Sequence, residues 1–382
     1  MNRTGQDAAG LRASADAPWD VERDVHCTED LERAARQALA ADVWDFLAGG
    51  SGAEVTLAAN RAALRRIALV PRILRDVAHC ALETTLFGVE QAMPVATAPI
   101  AYHGLIHPEG ELAGARAAKA AGIPFTASTL SSCPIEDIAG IGGTVWFQLY
   151  WLRDRKATFE LVERAEAAEC AALVLTVDVP WMGRRLRDVR NRFVLPPGVE
   201  AANLAWGSAS EAHRARASGS AVAAHTQAAF TPSLTWSDVE ELRRLTRLPL
   251  ILKGVLDPQD ARRAADTGVD GVVVSNHGGR QLDGAVAAID SLEAVAEEVG
   301  GDCRVLLDSG IRSGTDILRA LALGADAVLV GRPVLWGLAA AGERGVGRLL
   351  HLLAEELRDA FGLAGCDGVA AARKIRTFRG VG

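Results

Sequence analysis

Eight short apolar runs recur between amphipathic stretches, and they constrain the fold more than any other feature of the chain. They are VATAPI from Val95, PFTAS from Pro124, VWFQLY from Val145, ALVLTVD from Ala172, LPLILKG from Leu248, GVVVSN from Gly271, RVLLDSG from Arg304 and AVLVG from Ala327. A run that is apolar throughout, rather than at alternate positions, reads as a strand covered on both faces, and such strands belong to parallel sheets connected by helices. The stretches 109–121, 157–168, 258–267 and 314–323 have helical composition. Gly122, Gly268 and Gly324 follow three of them and suit the left-handed turn that ends a helix. Such alternation also fits an open doubly wound sheet. The count of eight, and the polar residues at the ends of the runs, favour a single (β/α)8 TIM barrel. Helical segments at Thr28–Leu39 and Ala41–Leu47 form an N-terminal extension. The glycine cluster GGSGAE at 49–54 follows a helix rather than a strand, so it is not a dinucleotide fingerprint.

The expected organisation is a mobile tail over residues 1–27 and one barrel domain over residues 28–382, with 49% hydrophobic residues to supply its core. One connection is irregular: residues 180–235, after the fourth run, form a long polar loop expected to act as a lid or to be partly disordered. The net charge is −7 with both signs interleaved, so there is no basic stripe and no nucleic-acid partner is expected. Six separated cysteines without a Cys-x-x-Cys pair read as free thiols in a reducing cytoplasm. Neither a membrane span nor a signal-peptide stretch is evident.

In a barrel the carboxyl ends of the strands converge on one face, so the ends of the runs are a register of site candidates. They supply Gln148 and Tyr150, Thr176 and Asp178, Lys253, then Ser275, Asn276 and His277, then Asp308, and finally Gly331 and Arg332. DSGIRSG from Asp308 and the GRP at Gly331 follow runs seven and eight, where this fold holds phosphate. Glycines there admit backbone N–H groups, and Arg312 and Arg332 can fork onto the oxygens. Two ordinary turn arginines are the alternative. A phosphate narrows the cofactor to FMN or pyridoxal phosphate. Lys253 leaves three roles open: electrostatic partner of a reduced flavin, Schiff-base nucleophile of a lyase, or structural ion pair with Asp308. His277, in VSNHGGRQLDG, is a candidate base with Asp178 as its orienting carboxylate. Arg280 and Arg185 could clamp a carboxylate, with Arg184 and Arg187 as competitors. Tyr150, one of two tyrosines beside Tyr102, could bond the substrate or be a structural phenol.

With these residues in place the chain resembles the FMN-dependent 2-hydroxy acid oxidase and dehydrogenase family, which includes glycolate oxidase, lactate oxidase and mandelate dehydrogenase. SNHGGRQLD is the most specific element. HPEGE from His107, TVDVPWMGRR from Thr176, LPLILKG and GADAVLVGRP agree with it in order and spacing, and the match runs from about Thr28 to Arg379. The resemblance implies FMN held by the backbone of Pro99, Ile100 and Ala101, by Ser128, Gln148, Thr176, Lys253 and Ser275, and at its phosphate by Asp308, Ser309, Gly310, Ile311, Arg312, Gly331 and Arg332. It implies His277 as base, Asp178 as its partner, Arg185 and Arg280 on the substrate carboxylate, Tyr150 on the substrate, and Lys253 as the flavin's partner rather than a Schiff base. Three departures stand out. Phe46 replaces a tyrosine common in relatives, Leu130 stands where the glycolate enzyme carries tryptophan, and Ser309 replaces a common glycine. Phe46 and Leu130 make the pocket more apolar, so the expected reaction is oxidation of an aryl 2-hydroxy acid, mandelate or 4-hydroxymandelate, to the 2-oxo acid with O2 reduced to H2O2. A dehydrogenase with another acceptor, and a flavin oxidase of a peptide-derived amine, are the rivals within the class. Family analogy implies a homotetramer or octamer.

Overall fold

A computed structural model describes residues 19–204 and 220–380. The eight apolar runs form one parallel sheet: β1 (Val95–Thr97), β2 (Phe125–Ser128), β3 (Val145–Leu149), β4 (Ala172–Thr176), β5 (Leu250–Val255), β6 (Gly271–Val274), β7 (Arg304–Leu307) and β8 (Ala327–Val330). The strands pair in the order β1-β8-β7-β6-β5-β4-β3-β2. The two ends meet, because Thr97 N donates to Pro124 O at 3.0 Å and Thr126 N to the Thr97 hydroxyl at 2.8 Å. This is a (β/α)8 barrel, not an open sheet. The helices predicted at 109–121, 157–168, 258–267 and 314–323 are present as Gly110–Ala120, Arg155–Ala167, Pro258–Asp266 and Gly314–Ala322. Gly122, Gly268 and Gly324 take φ of 65°, 81° and 102° beyond three of them.

Strand parity explains how the barrel leads into its site. Ala96, Trp146, Val174, Ile251, Val273, Leu306 and Leu329 face the barrel axis and pack as one cluster. Side chains alternate along a strand, so a step of two residues from each leads to the carboxyl face. Those steps reach Ala98, Gln148, Thr176, Lys253, Ser275, Asp308 and Gly331, and in three cases a further step reaches Tyr150, Asp178 and His277. A hairpin, Thr84–Leu86 with Val89–Gln91, closes the opposite end. Its turn residues Phe87 and Gly88 both have positive φ, and the Phe87 ring meets Trp146 edge-on at 5.5 Å.

Residues 19–27, which the sequence placed in a mobile tail, are folded. Val21 and Val25 are buried, and the Arg348 guanidinium donates to Val25 O at 2.9 Å. The correction is physical: those two apolar side chains find the long C-terminal helix, a partner that the local sequence does not reveal. Residues 1–18 lie outside the described residues. The 180–235 connection packs onto the barrel where it is described, through the helices Leu186–Asn191 and Ala221–Ala229 and through buried Phe193, Leu195 and Val199. The remainder of the expected lid, residues 205–219, lies outside the described residues.

Candidate active site

A cavity of about 1220 Å³, counting its open mouth, sits at the carboxyl ends of the strands. Pro99, Ile100, Ala101, Ser128, Leu130, Tyr150, Arg185, Lys253, His277, Arg280, Asp308, Ser309, Gly310, Ile311, Arg312, Gly331, Arg332 and Phe46 line it. Asp178, Gln148, Thr176 and Ser275 stand behind its wall and hold the lining in place.

His277 sits just past β6 with φ of 57°, a left-handed conformation, and Gly278 and Gly279 continue it at 64° and 74°. A Cβ on Gly279 would lie 2.6 Å from the Leu57 backbone, so this turn requires glycine. The reciprocal amide pair of Asn60 and Asn276, at 2.9 and 2.7 Å, fastens the same turn to the N-terminal extension. His277 Nδ1 lies 3.0 Å from Asp178 Oδ1. The carboxylate can reach it because Gly254 has no side chain; a Cβ there would come within 2.5 Å of Asp178. An ionised carboxylate only accepts hydrogen bonds, so Nδ1 carries the proton and Nε2 keeps its lone pair for the cavity. Burial lowers the His277 pKa, and Asp178 opposes that shift without cancelling it, so the ring is neutral at pH 7. Burial pushes Asp178 upward, but His277 and Lys253 outweigh it and leave its pKa below the ordinary carboxylate value. The pair is a neutral imidazole on a firm carboxylate, the state that a general base needs.

Around this pair several arginines have no close carboxylate among the described residues. Arg185 is buried, its Nε makes no hydrogen bond, and the nearest carboxylate, Asp188, is 4.0 Å away. Arg280 gives Nη1 to Gly49 O at 2.7 Å and lies over the Phe46 ring at 5.5 Å. Its pKa is pushed well down, first by burial and then by Arg185 and Arg332. Burial together with Arg332 and Arg61 brings Arg312 down to about 9, and burial together with Arg185 brings Arg332 down to about 10. A cation-rich cavity of this kind favours anions, which Arg185 with Arg280 and Arg312 with Arg332 have the charge to receive. The two competitors for the carboxylate fall away. Arg187 pairs with Glu54 at 2.7 Å and Asp45 at 3.3 Å, and Arg184 is exposed.

Lys253 Nζ meets Asp308 Oδ2 at 2.9 Å and the Ser275 hydroxyl at 3.1 Å. Burial lowers its pKa, but Asp308 and Asp178 more than restore it, so it remains an ammonium. A Schiff-base nucleophile must be neutral, which weighs against the lyase reading. Ser309, at φ 75°, donates to Asp308 Oδ1 at 2.7 Å and accepts from Gly278 N at 3.0 Å, so it ties the Lys253 ion pair to the His277 turn. Gln148 accepts from the Ser128 hydroxyl and donates to Thr176 Oγ1, both at 3.0 Å.

Arg332 does not point free into the cavity. Its guanidinium donates to Leu47 O, Gly278 O and Gly49 O at 3.1, 3.0 and 2.9 Å. Those carbonyl groups carry no side-chain signature, so residue patterns could not announce them. Tyr102, with Val179, Met182, Val222 and Thr226, also lines the cavity without having been singled out as a site residue. Tyr102 lies an even number of positions from Ala96, and that parity was the signal available.

Residues 35–376 match the FMN-dependent dehydrogenase family, and the chain belongs to it; its cofactor is FMN. It is 60% identical to 4-hydroxymandelate oxidase of Amycolatopsis orientalis over 92% of this chain and 98% of that protein. It is 48% identical to L-lactate oxidase of Nostoc sp. over 88% and 94% of the two chains. A crystal structure of mandelate oxidase with (S)-4-hydroxymandelic acid matches with a TM-score of 0.92 at 58% identity, covering 94% of this chain and 100% of that one. The cavity fits FMN on its own evidence. Ser309 and Gly310, both at positive φ, lead into Arg312, which forms no salt bridge among the described residues, and the charged Lys253 lines the same cavity. Among the described residues no helix is long and apolar enough to cross a membrane, and all six cysteines are free thiols.

Proposed function

We propose that this protein oxidises an aryl 2-hydroxy acid, mandelate or its 4-hydroxy derivative, to the 2-oxo acid, with O2 taking the electrons and leaving as H2O2. The observation that carries the reading is the neutral His277 imidazole on the Asp178 carboxylate, set beside two arginines of which, among the described residues, Arg185 has its nearest carboxylate at 4.0 Å and Arg280 forms no salt bridge. Arg185 and Arg280 hold the substrate carboxylate and orient the hydroxyl-bearing carbon toward His277 Nε2, which takes the proton. The Asp178 carboxylate steadies the imidazolium that results. Bound FMN supplies the two-electron acceptor. The backbone of Pro99, Ile100 and Ala101, the Ser128–Gln148–Thr176 string, Lys253 with Ser275, and the phosphate-side residues Asp308 to Arg312 with Gly331 and Arg332 hold it. Tyr150, stacked on Phe230 at 4.2 Å, borders the substrate with Leu130 and Phe46. The aryl preference is supported by those apolar walls and by the similarity to 4-hydroxymandelate oxidase.

The test is a visible spectrum of the holoenzyme before and after anaerobic addition of racemic mandelate. Flavin bands that bleach support the reading. Bands that persist with mandelate but bleach with glycolate or lactate overturn the aryl assignment. The assembly expected by family analogy is a homotetramer or octamer in the cytoplasm, and a monomer by light scattering would contradict it.

A further inference from the structure

The Tyr102 side chain is 1% exposed, and its hydroxyl is a buried polar atom without a hydrogen-bond partner among the described residues. Leaving a buried hydroxyl unpaired is unfavourable, and folded proteins seldom retain one without a use for it. The backbone here is unusual as well. Tyr102 adopts φ 58° and ψ 51°, a left-handed conformation that a bulky residue rarely takes, fixed by its N–H donating to Leu130 O at 3.0 Å.

Tyr102 belongs to the wall of the active-site cavity together with the apolar Leu105 and Leu130, to which its backbone is bonded: Leu105 N donates to Tyr102 O and Tyr102 N to Leu130 O, both at 3.0 Å. Thr226 also lines this region, but its hydroxyl donates to Val222 O at 2.9 Å, so its proton is committed. Leu130 is one of the apolar walls that border the substrate in the reading above, so a substrate carboxylate held on Arg185 and Arg280 leaves the ring against the wall that Tyr102 shares with Leu130, where the phenol stands unpaired among the described residues.

We propose that the Tyr102 hydroxyl recognises a hydroxyl group at the far end of the substrate's aromatic ring, so that the site selects a phenolic over an unsubstituted aryl 2-hydroxy acid. The inference rests on the aryl 2-hydroxy acid reading above and names the contact that reads the ring. Either phenol can donate to the other, so one hydrogen bond satisfies a group that the free protein leaves unpaired. Unsubstituted mandelate offers no partner, and a site with a polar group left over discriminates against it.

The test compares kcat/KM for 4-hydroxymandelate and for mandelate in the parent holoenzyme and in Tyr102→Phe. The 4-hydroxy to unsubstituted ratio is expected to fall about tenfold in the variant, the worth of one such hydrogen bond. A ratio unchanged or increased overturns the assignment. If Tyr102→Phe does not fold or load flavin, the parent decides. By perturbation of the flavin spectrum, 4-hydroxyphenylglyoxylate should bind about tenfold tighter than 4-methylphenylglyoxylate. Equal or weaker binding overturns the proposal. If neither mandelate nor 4-hydroxymandelate reduces the parent flavin, the aryl reading fails and this inference with it. Reduction by both with an unaltered ratio removes Tyr102 alone.

Discussion

Replacing Asp178 with Asn is a nearly isosteric change that removes one negative charge 3.0 Å from His277 Nδ1. Asp178 Oδ2 has no hydrogen-bond partner among the described residues, so the swap breaks no described contact on that side. Opposite unit charges about 4 Å apart attract by about 4 kcal/mol at an effective dielectric of about 20, an upper bound for what the imidazolium loses. Hydrogen bonds to charged groups are typically worth about 1.5–3 kcal/mol in mutational series, and this range is the better guide. At about 1.4 kcal/mol per factor of ten, the rate of flavin reduction should fall about 10- to 150-fold. A second signature follows from the sign of the shift. Burial lowers the His277 pKa while Asp178 holds it up. In the parent, activity should fall with acid below the ordinary imidazole range of about 6.5, as Nε2 becomes protonated. Without the carboxylate the pKa drops further, so the acid limb of kcat/KM should move to lower pH while the plateau falls. Anaerobic stopped-flow reduction across pH 4.5–8 reads both. An unchanged plateau, or a limb that moves upward, would refute the assignment of Asp178 as the partner of the base.

Arg312→Ala should weaken FMN binding about 10- to 100-fold and flatten its salt dependence, measured by fluorescence quenching of added FMN, because it removes a buried cation, its pKa brought down to about 9, that forms no salt bridge among the described residues. Lys253→Met should lower the flavin midpoint potential. It should also destabilise the fold by about 3–5 kcal/mol, since it strands Asp308, and Lys253→Met with Asp308→Asn should recover stability but not potential. The parent treated with the 2-oxo acid phenylglyoxylate and borohydride should keep its mass, whereas a covalent adduct on Lys253 would revive the lyase. Phe46→Leu takes away the ring face under Arg280 and the stack on Phe193 at 4.5 Å. KM for hydroxy acids should rise about 2- to 30-fold with a smaller effect on kcat, and an unaltered KM would show that Arg280 is positioned by its carbonyl contacts alone.

The barrel was legible because each strand is apolar on both faces, a pattern written in consecutive residues. Polar strand ends such as Lys253, Asp308 and Ser275 stood out for the same reason: two positions past an inward apolar side chain, polarity has no packing explanation. What the sequence concealed depends on partners distant along the chain. The pairing of Ile67–Leu69 with Thr377–Arg379 joins two unremarkable three-residue stretches at opposite ends of the sequence. The helix Arg332–Ala364 is interrupted at Ala341 and Gly342, where a Cβ on Gly342 would meet His107 at 2.9 Å, and no local pattern marks that contact. Within the site, Tyr102 was counted as a rare residue without being placed. Its significance lies in a missing partner, which only packing reveals.

The grip of Leu47 and Gly49 on Arg280 and Arg332 also sets an order of events. These carbonyls belong to a segment made early in synthesis, and the arginines that they aim are made 231 to 285 residues later. Contacts of such separation close only after the intervening chain has been organised. A nascent chain that ends before β8 lacks Arg332, so the Leu47 and Gly49 carbonyls have only one of their two guanidinium groups to aim, however well the first strands have formed. The cationic cavity is accordingly complete only once the last strand of the barrel is made.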